Sequence, residues 1–156
     1  MASKSIRAAL VAAAVLALSP TQAQEKIKLT VGTAASPAWS LGEAVVNVLK
    51  PGLEKHSNGR IELVVHDKGS LCSEHGCFEQ MKLGQIDIAT VSSGNVGAFG
   101  TTFDIINLPY LFKDDATADR ILNGWLAAEL GKRAEKEMKV HTIALIPVGG
   151  FQNVVN

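Results

Sequence analysis

The chain has 156 residues, 47% of them hydrophobic and 19% charged, a composition that builds a core and excludes an intrinsically disordered segment. Its 15 basic residues are matched by 15 acidic ones, so it lacks the cationic excess that draws a protein to nucleic-acid phosphates. Two cysteines are too few for a disulfide-stapled miniprotein, and 5% aromatic residues are few for a surface that works by ring stacking.

Met1 to Arg7 carries Lys4 and Arg7 with no acid, Ala8 to Leu18 is an unbroken apolar run, and Ser19 to Gln24 is small and polar. That layout predicts a secretory signal peptide over residues 1–23, cleaved after Ala23, with small residues at Thr21 and Ala23 where a signal peptidase reads. As a helix the apolar run rises only about 16 Å, half the hydrocarbon thickness of a bilayer, which predicts export and release rather than anchoring. The expected location is the periplasm, or the medium for a cell without an outer membrane. Losing Lys4 and Arg7 leaves the mature chain, residues 24–156, mildly acidic.

Lys26 to Val31 alternates polar and apolar and stops at Gly32, a first strand. Ser36 and Pro37 then suit an N-cap and a first helical position, with Leu41, Ala44, Val45, Val48 and Leu49 recurring along one helical face. Pro51 interrupts that helix late and Gly59 closes it. Arg60 to His66 is a second strand, Ser73 to Leu83 a short helix ended by Gly84, and Asp87 to Ser92 a third strand, apolar enough to be buried. Phe103 to Phe112 is an apolar connection. Asp115 to Lys139 is predicted as one long helix whose buried stripe is Ile121, Leu122, Trp125, Leu126 and Leu130, with Lys132 to Lys139 as a solvated end. Val140 to Val148 is predicted as a fourth core strand, leading into Gly149 and Gly150.

Strand, helix, strand, helix, strand in that order predicts an α/β fold with a mostly parallel sheet and flanking helices. Such a sheet presents ligands with the loops beyond the carboxyl ends of its strands. Four loops qualify: Gly32 to Trp39, Lys68 to His75, Ser92 to Gly100, and Gly149 onward. Ser92, Ser93, Gly94 and Asn95 gather hydroxyls and an amide that fit either a ligand carboxylate or a turn bonded to its own backbone. Trp39 is read as a pocket wall or as core, the latter being commoner for an aromatic near a helix start. Glu74, at a helix start, is either a capping carboxylate or a partner for a ligand hydroxyl or amine.

Cys72 and Cys77 in an exported chain are expected to form a disulfide. Five helical residues separate Cα atoms by about 8 Å, beyond bridging reach, so the bond requires Cys72 to lie in the loop before the helix. A different class of function, an exported thiol-disulfide or metal protein, would use Cys72, His75 and Cys77, although a fourth metal ligand and the C-x-x-C spacing are both missing. No nucleophile-elbow, zinc-protease, P-loop or dinucleotide motif occurs, so no enzyme and no cofactor is expected.

Glu79-Gln80 with Gly84, Ile86 and Asp87, then Ser92-Ser93-Gly94, then Leu108-Pro109-Tyr110-Leu111-Phe112, resemble the DctP-type solute-binding proteins of tripartite ATP-independent periplasmic (TRAP) transporters. The likeness runs from about Ile27 to the last residue. It implies one lobe of a class II periplasmic-binding-protein-like fold, and a receptor that captures a small organic acid and hands it to membrane permease subunits. It places Ser36 in the first ligand loop, Glu74 in the second and Ser92 in the third. The family's fourth segment reads G-x-R, with the Arg meeting the ligand carboxylate. Gln152 stands there in Gly150-Phe151-Gln152, a donor without charge. Family members are about twice as long, so most of a second lobe is expected beyond these residues and this chain is expected to be a fragment.

Overall fold

The structure, a computed structural model, describes residues 25–147. The predicted leader, residues 1–23, and Gln152 lie outside the described residues. Three parallel strands form one sheet in the order β2-β1-β3: β1 (Ile27–Thr33), β2 (Ile61–His66) and β3 (Ile88–Thr90). The register pairs Val31 with Val65 on one side and with Ile88 on the other.

Between β1 and β2 the chain runs through α1 (Ser40–Glu43), a π-helical stretch (Ala44–Leu49) and α2 (Lys50–His56). Helix α3 (Glu74–Lys82) connects β2 to β3. Two connections that step in opposite directions from a parallel strand lie on opposite faces when both are right-handed. Successive residues of β1 show it. Val31 packs with Val45 and Leu63, whereas a Cβ at Gly32 would fall 2.9 Å from Cys77 Sγ on α3.

Pro51 has a larger effect than a late interruption. Without an N–H it cannot bond the carbonyl four residues back, and its ring crowds that carbonyl. The turn before it is widened instead, so that the Lys50 N–H bonds the Val45 carbonyl five residues back. The helix also begins at Ser40, not at Ser36-Pro37, because the Ser36 carbonyl closes a turn by accepting the Trp39 N–H at 2.9 Å. Trp39, at the N-cap, is 65% exposed and so is not core, and Val48 of the predicted apolar face is exposed as well.

The long helix expected over Asp115 to Lys139 is two, α4 (Asp115–Leu122) and α5 (Trp125–Met138). Asn123 caps the first, and Gly124 takes a non-helical φ of −112° and ψ of −136°, where a Cβ would lie 2.7 Å from the Arg120 carbonyl oxygen. The break resets the helical phase. Trp125 is therefore exposed rather than part of the stripe, and α5 buries Leu126, Leu130, Ala134 and Met138 at four-residue intervals. These side chains meet Phe78, Val96 and Phe103 in the larger apolar cluster. Lys132, Arg133, Glu135 and Lys136 are exposed, as a solvated end requires.

Val140 to Pro147 forms no strand among the described residues. Its composition suits a strand, but β3 pairs with β1 only and is three residues long, which leaves Val140 to Pro147 without a ladder partner. Among the described residues no helix is long and apolar enough to cross a membrane.

Candidate functional site

The strand order reverses between β1 and β3, and there the loops leaving the two strands part and open a crevice. At its floor the Thr33 and Thr90 hydroxyls are hydrogen-bonded at 2.5 Å, and Thr33 Oγ1 also accepts the Ala35 N–H. The loop after β2 is tied to the loop after β1 by Lys68 N–H to the Ala35 carbonyl and Gly69 N–H to the Thr33 carbonyl. Lys68 and Gly69 both have positive φ, which turns the chain sharply enough to make those bonds.

A trough of about 870 Å³ runs from this crevice along the unpaired edge of β3, within the range of small-molecule sites. Its walls are largely apolar, from Trp39, Val45, Val48, Met81 and Val91, and the stretch from Val140 to Pro147 closes one side. Glu74, Ser92 and Ser93 line its crevice end, and Asp87, His141 and Thr142 add further polar groups to the lining.

Glu74 organises that end. Its Oε2 accepts the Ser92 N–H at 3.0 Å, the Ser92 hydroxyl at 2.7 Å and the Asn95 amide at 2.6 Å. Partial burial alone would push the carboxyl up, but the bonds from Ser92 and Asn95 together outweigh it and hold Glu74 below the usual glutamate value. Glu74 is thus an anion at crevice pH, with Oε1 free of the bonds that occupy Oε2. Helix capping falls to Ser73 instead, whose hydroxyl accepts the Gly76 N–H.

The predicted site residues therefore separate. Glu74, Ser92 and Asn95 form one hydrogen-bonded unit, and Trp39 walls the trough. Ser93 turns its hydroxyl to Asn107 Oδ1 at 2.6 Å, which joins two 3-10 turns. Ser36 holds its own turn, its hydroxyl accepting the Ala38 N–H at 3.3 Å, and like Asn95 it stands behind the trough lining. The hydrogen-bonded pair Thr33 and Thr90, and the wall from Val140 to Pro147, carried no local signal in the sequence.

Cys72 and Cys77 are joined in a disulfide with Cα atoms 5.1 Å apart, Cys72 lying in the loop before α3. Both thiols are consumed, which removes them as metal ligands, and among the described residues no cluster of metal-binding side chains occurs. The His75 ring lies 4.6 Å from that of Phe99, and with both sulfurs bonded to each other the alternative of a metal site at Cys72, His75 and Cys77 is not favoured.

A second carboxylate clamp stands away from the crevice. Glu137 on α5 accepts the N–H groups of Thr101 and Thr102 at 2.9 and 3.1 Å and both of their hydroxyls. The Thr102 hydroxyl, followed by the other donors, holds the Glu137 carboxyl below its ordinary value of 4.5. A carboxyl lowered in the folded state stabilises fully above its unfolded value, and this contribution is lost as pH falls through the folded value. Glu74 and Glu137 both have this sign. The urea midpoint is therefore expected to hold from neutrality to roughly pH 5 and to fall below it, with Glu137→Gln less sensitive to acid than wild type. A midpoint that stays constant as pH falls below roughly 5 would contradict the assignment.

An open parallel sheet with polar loops gathered at a strand-order reversal defines a ligand-binding α/β lobe. The chain belongs to the bacterial extracellular solute-binding proteins, family 7, the DctP family, whose model it matches over residues 31–156. A solute-binding protein of Chromohalobacter salexigens is 29% identical over 109 residues, covering 67% of this chain and 31% of the relative. The C4-dicarboxylate-binding periplasmic protein DctP of Rhodobacter capsulatus is 27% identical over 127 residues, covering 80% of this chain and 38% of the relative. The crystal structure of a TRAP periplasmic solute binding protein from Xanthobacter autotrophicus Py2 with bound β-D-galacturonate superposes with a TM-score of 0.65 at 26% identity, over 70% of this chain and 36% of that one. The matched stretches thus span about a third of the length of these relatives. The expected lobe architecture is borne out.

Proposed function

We infer that this chain supplies the first lobe of an exported receptor of a TRAP transporter, which captures a small organic acid and delivers it to the membrane permease. Residues 1–23 direct its export. The ligand is a hydroxylated acid of the sugar-acid class. The observation that carries this reading is Glu74, held ionised by Ser92 and Asn95 with Oε1 left open at the crevice end of the trough. A fixed carboxylate accepts hydrogen bonds and repels a second carboxylate, so a ligand hydroxyl rather than its acid group meets Glu74. Trp39 offers a face for the carbon skeleton of the ligand, and Ser92 completes the rim. Galacturonate in the Xanthobacter relative has hydroxyls of this kind.

Titration calorimetry of a two-lobed receptor carrying this chain as its first lobe, with D-galacturonate and with succinate, tests the reading. Galacturonate is expected to bind the more tightly, and Glu74→Ala to weaken it about tenfold or more, the worth of one hydrogen bond to a charged group. Equal affinity for succinate, or a Glu74→Ala receptor that binds galacturonate unchanged, would overturn it.

A further inference from the structure

We propose that the Cys72–Cys77 disulfide is a positioning device for Glu74, setting its carboxylate against Ser92 and Asn95 across the crevice. The bond closes a ring that contains Glu74 as its third residue. It draws Cys72 to 5.1 Å from Cys77 between Cα atoms, where a continuous helix would hold them about 8 Å apart. Glu74 is thereby the first residue of α3, in the turn that frays most readily when nothing restrains it.

The cystine is itself fixed. Cys77 is fully buried, Cys72 nearly so, and Ile86 packs against both. A Cβ at Gly32 would lie 2.9 Å from Cys77 Sγ and 3.1 Å from Cys72 Sγ, so the two sulfurs rest directly on the backbone of β1. That strand ends at Thr33, in the floor of the crevice. One covalent link therefore references the Glu74 backbone to the central strand. The Ser92 and Asn95 donors reach Glu74 from the far side, along the chain leaving β3. Chain entropy grows only logarithmically with loop length, so even this short ring steadies the whole lobe, and the local geometry it imposes on Glu74 is a separate effect.

The consequence for binding rests on the receptor reading above, but the geometric claim is read without a ligand. In the full chain, hydrogen exchange at the Ser92 amide reports its bond to Glu74. Cys72→Ala/Cys77→Ala is expected to speed that exchange about tenfold, the loss of roughly one hydrogen bond, while the amides of the β1–β2 ladder at Val31 and Val64 speed up distinctly less. In a Glu74→Ala background the same pair of substitutions is expected to add nothing at Ser92. Uniform acceleration over both regions would mean that the bond merely stabilises the lobe, and unchanged exchange at Ser92 would mean that Glu74 needs no such support. Either result overturns the proposal. If the alanine pair does not fold, Cys72→Ser/Cys77→Ser is read in the same way, and failure of both to fold also overturns it. A two-lobed receptor that ignores D-galacturonate would count against the receptor reading alone, since Ser92 exchange in this chain still decides this one.

Discussion

Replacing Gly42 by alanine is expected to cost the fold at least about 2 kcal/mol, although alanine is the better helix former by about 1 kcal/mol. Gly42 is buried in α1, and the added Cβ would stand 2.1 Å from the Ser36 carbonyl oxygen, 2.5 Å from its carbon and 2.9 Å from Pro37 N. All three are backbone atoms, so no rotamer change relieves the contact. The loop from Thr33 to Trp39 has to move, and with it the turn that the Ser36 carbonyl closes and the bond from Lys68 to Ala35. Overpacking of this kind costs about 1–3 kcal/mol, and a backbone clash belongs at the top of that range or above it. Gly52 supplies the control. It lies in α2 with open space around the position of a Cβ, so Gly52→Ala is expected to stabilise by up to about 1 kcal/mol. Urea unfolding of the two variants separates the effects, and a Gly42→Ala protein as stable as wild type would refute the close packing of α1 on the first ligand loop.

The strands were legible because each is a local pattern. Lys26 to Val31 alternates, Ile61 to Val65 and Ile88 to Val91 are rich in β-branched residues, and Gly32, Gly59 and Gly84 punctuate them. The features that escaped depend on backbone events or distant partners. The break at Asn123-Gly124 is a familiar turn dipeptide, but it lies inside an apolar period that continues on either side, and reading through it put Trp125 on the wrong face. Val140 to Pro147 has strand composition without a ladder, because pairing needs a neighbour and composition does not report one. In the site, Glu74, Ser92 and Asn95 were each visible as loop residues. That they bond one another, across 18 and 21 positions of sequence, was not. Ser93 illustrates the same gap, since its neighbours in sequence resemble those of Ser92 while its hydroxyl is committed to Asn107.

Met138→Ala is expected to destabilise the protein by about 3 kcal/mol, within the range of about 2–5 kcal/mol for truncating a buried Met. Met138 is the last residue of α5 and fully buried, in one cluster with Phe78, Val96 and Phe103. A Cβ at Gly100 would sit 2.9 Å from Met138 Cγ, so the helix end already lies close against the loop backbone and leaves little slack to fill a void. The cavity would open beneath Val96 and Phe103, which belong to the segment carrying Ser92 and Asn95. The Thr101 and Thr102 bonds to Glu137, adjacent on the same helix end, anchor that segment from outside the core. Loosening the core side while the clamp stays intact should therefore transmit to the crevice less than the stability loss implies. Met138→Leu, which nearly conserves volume, is expected to lose under about 1.5 kcal/mol. Urea unfolding gives the two values, and equal losses for alanine and leucine would show that side-chain shape rather than the deleted volume sets the cost at this helix end.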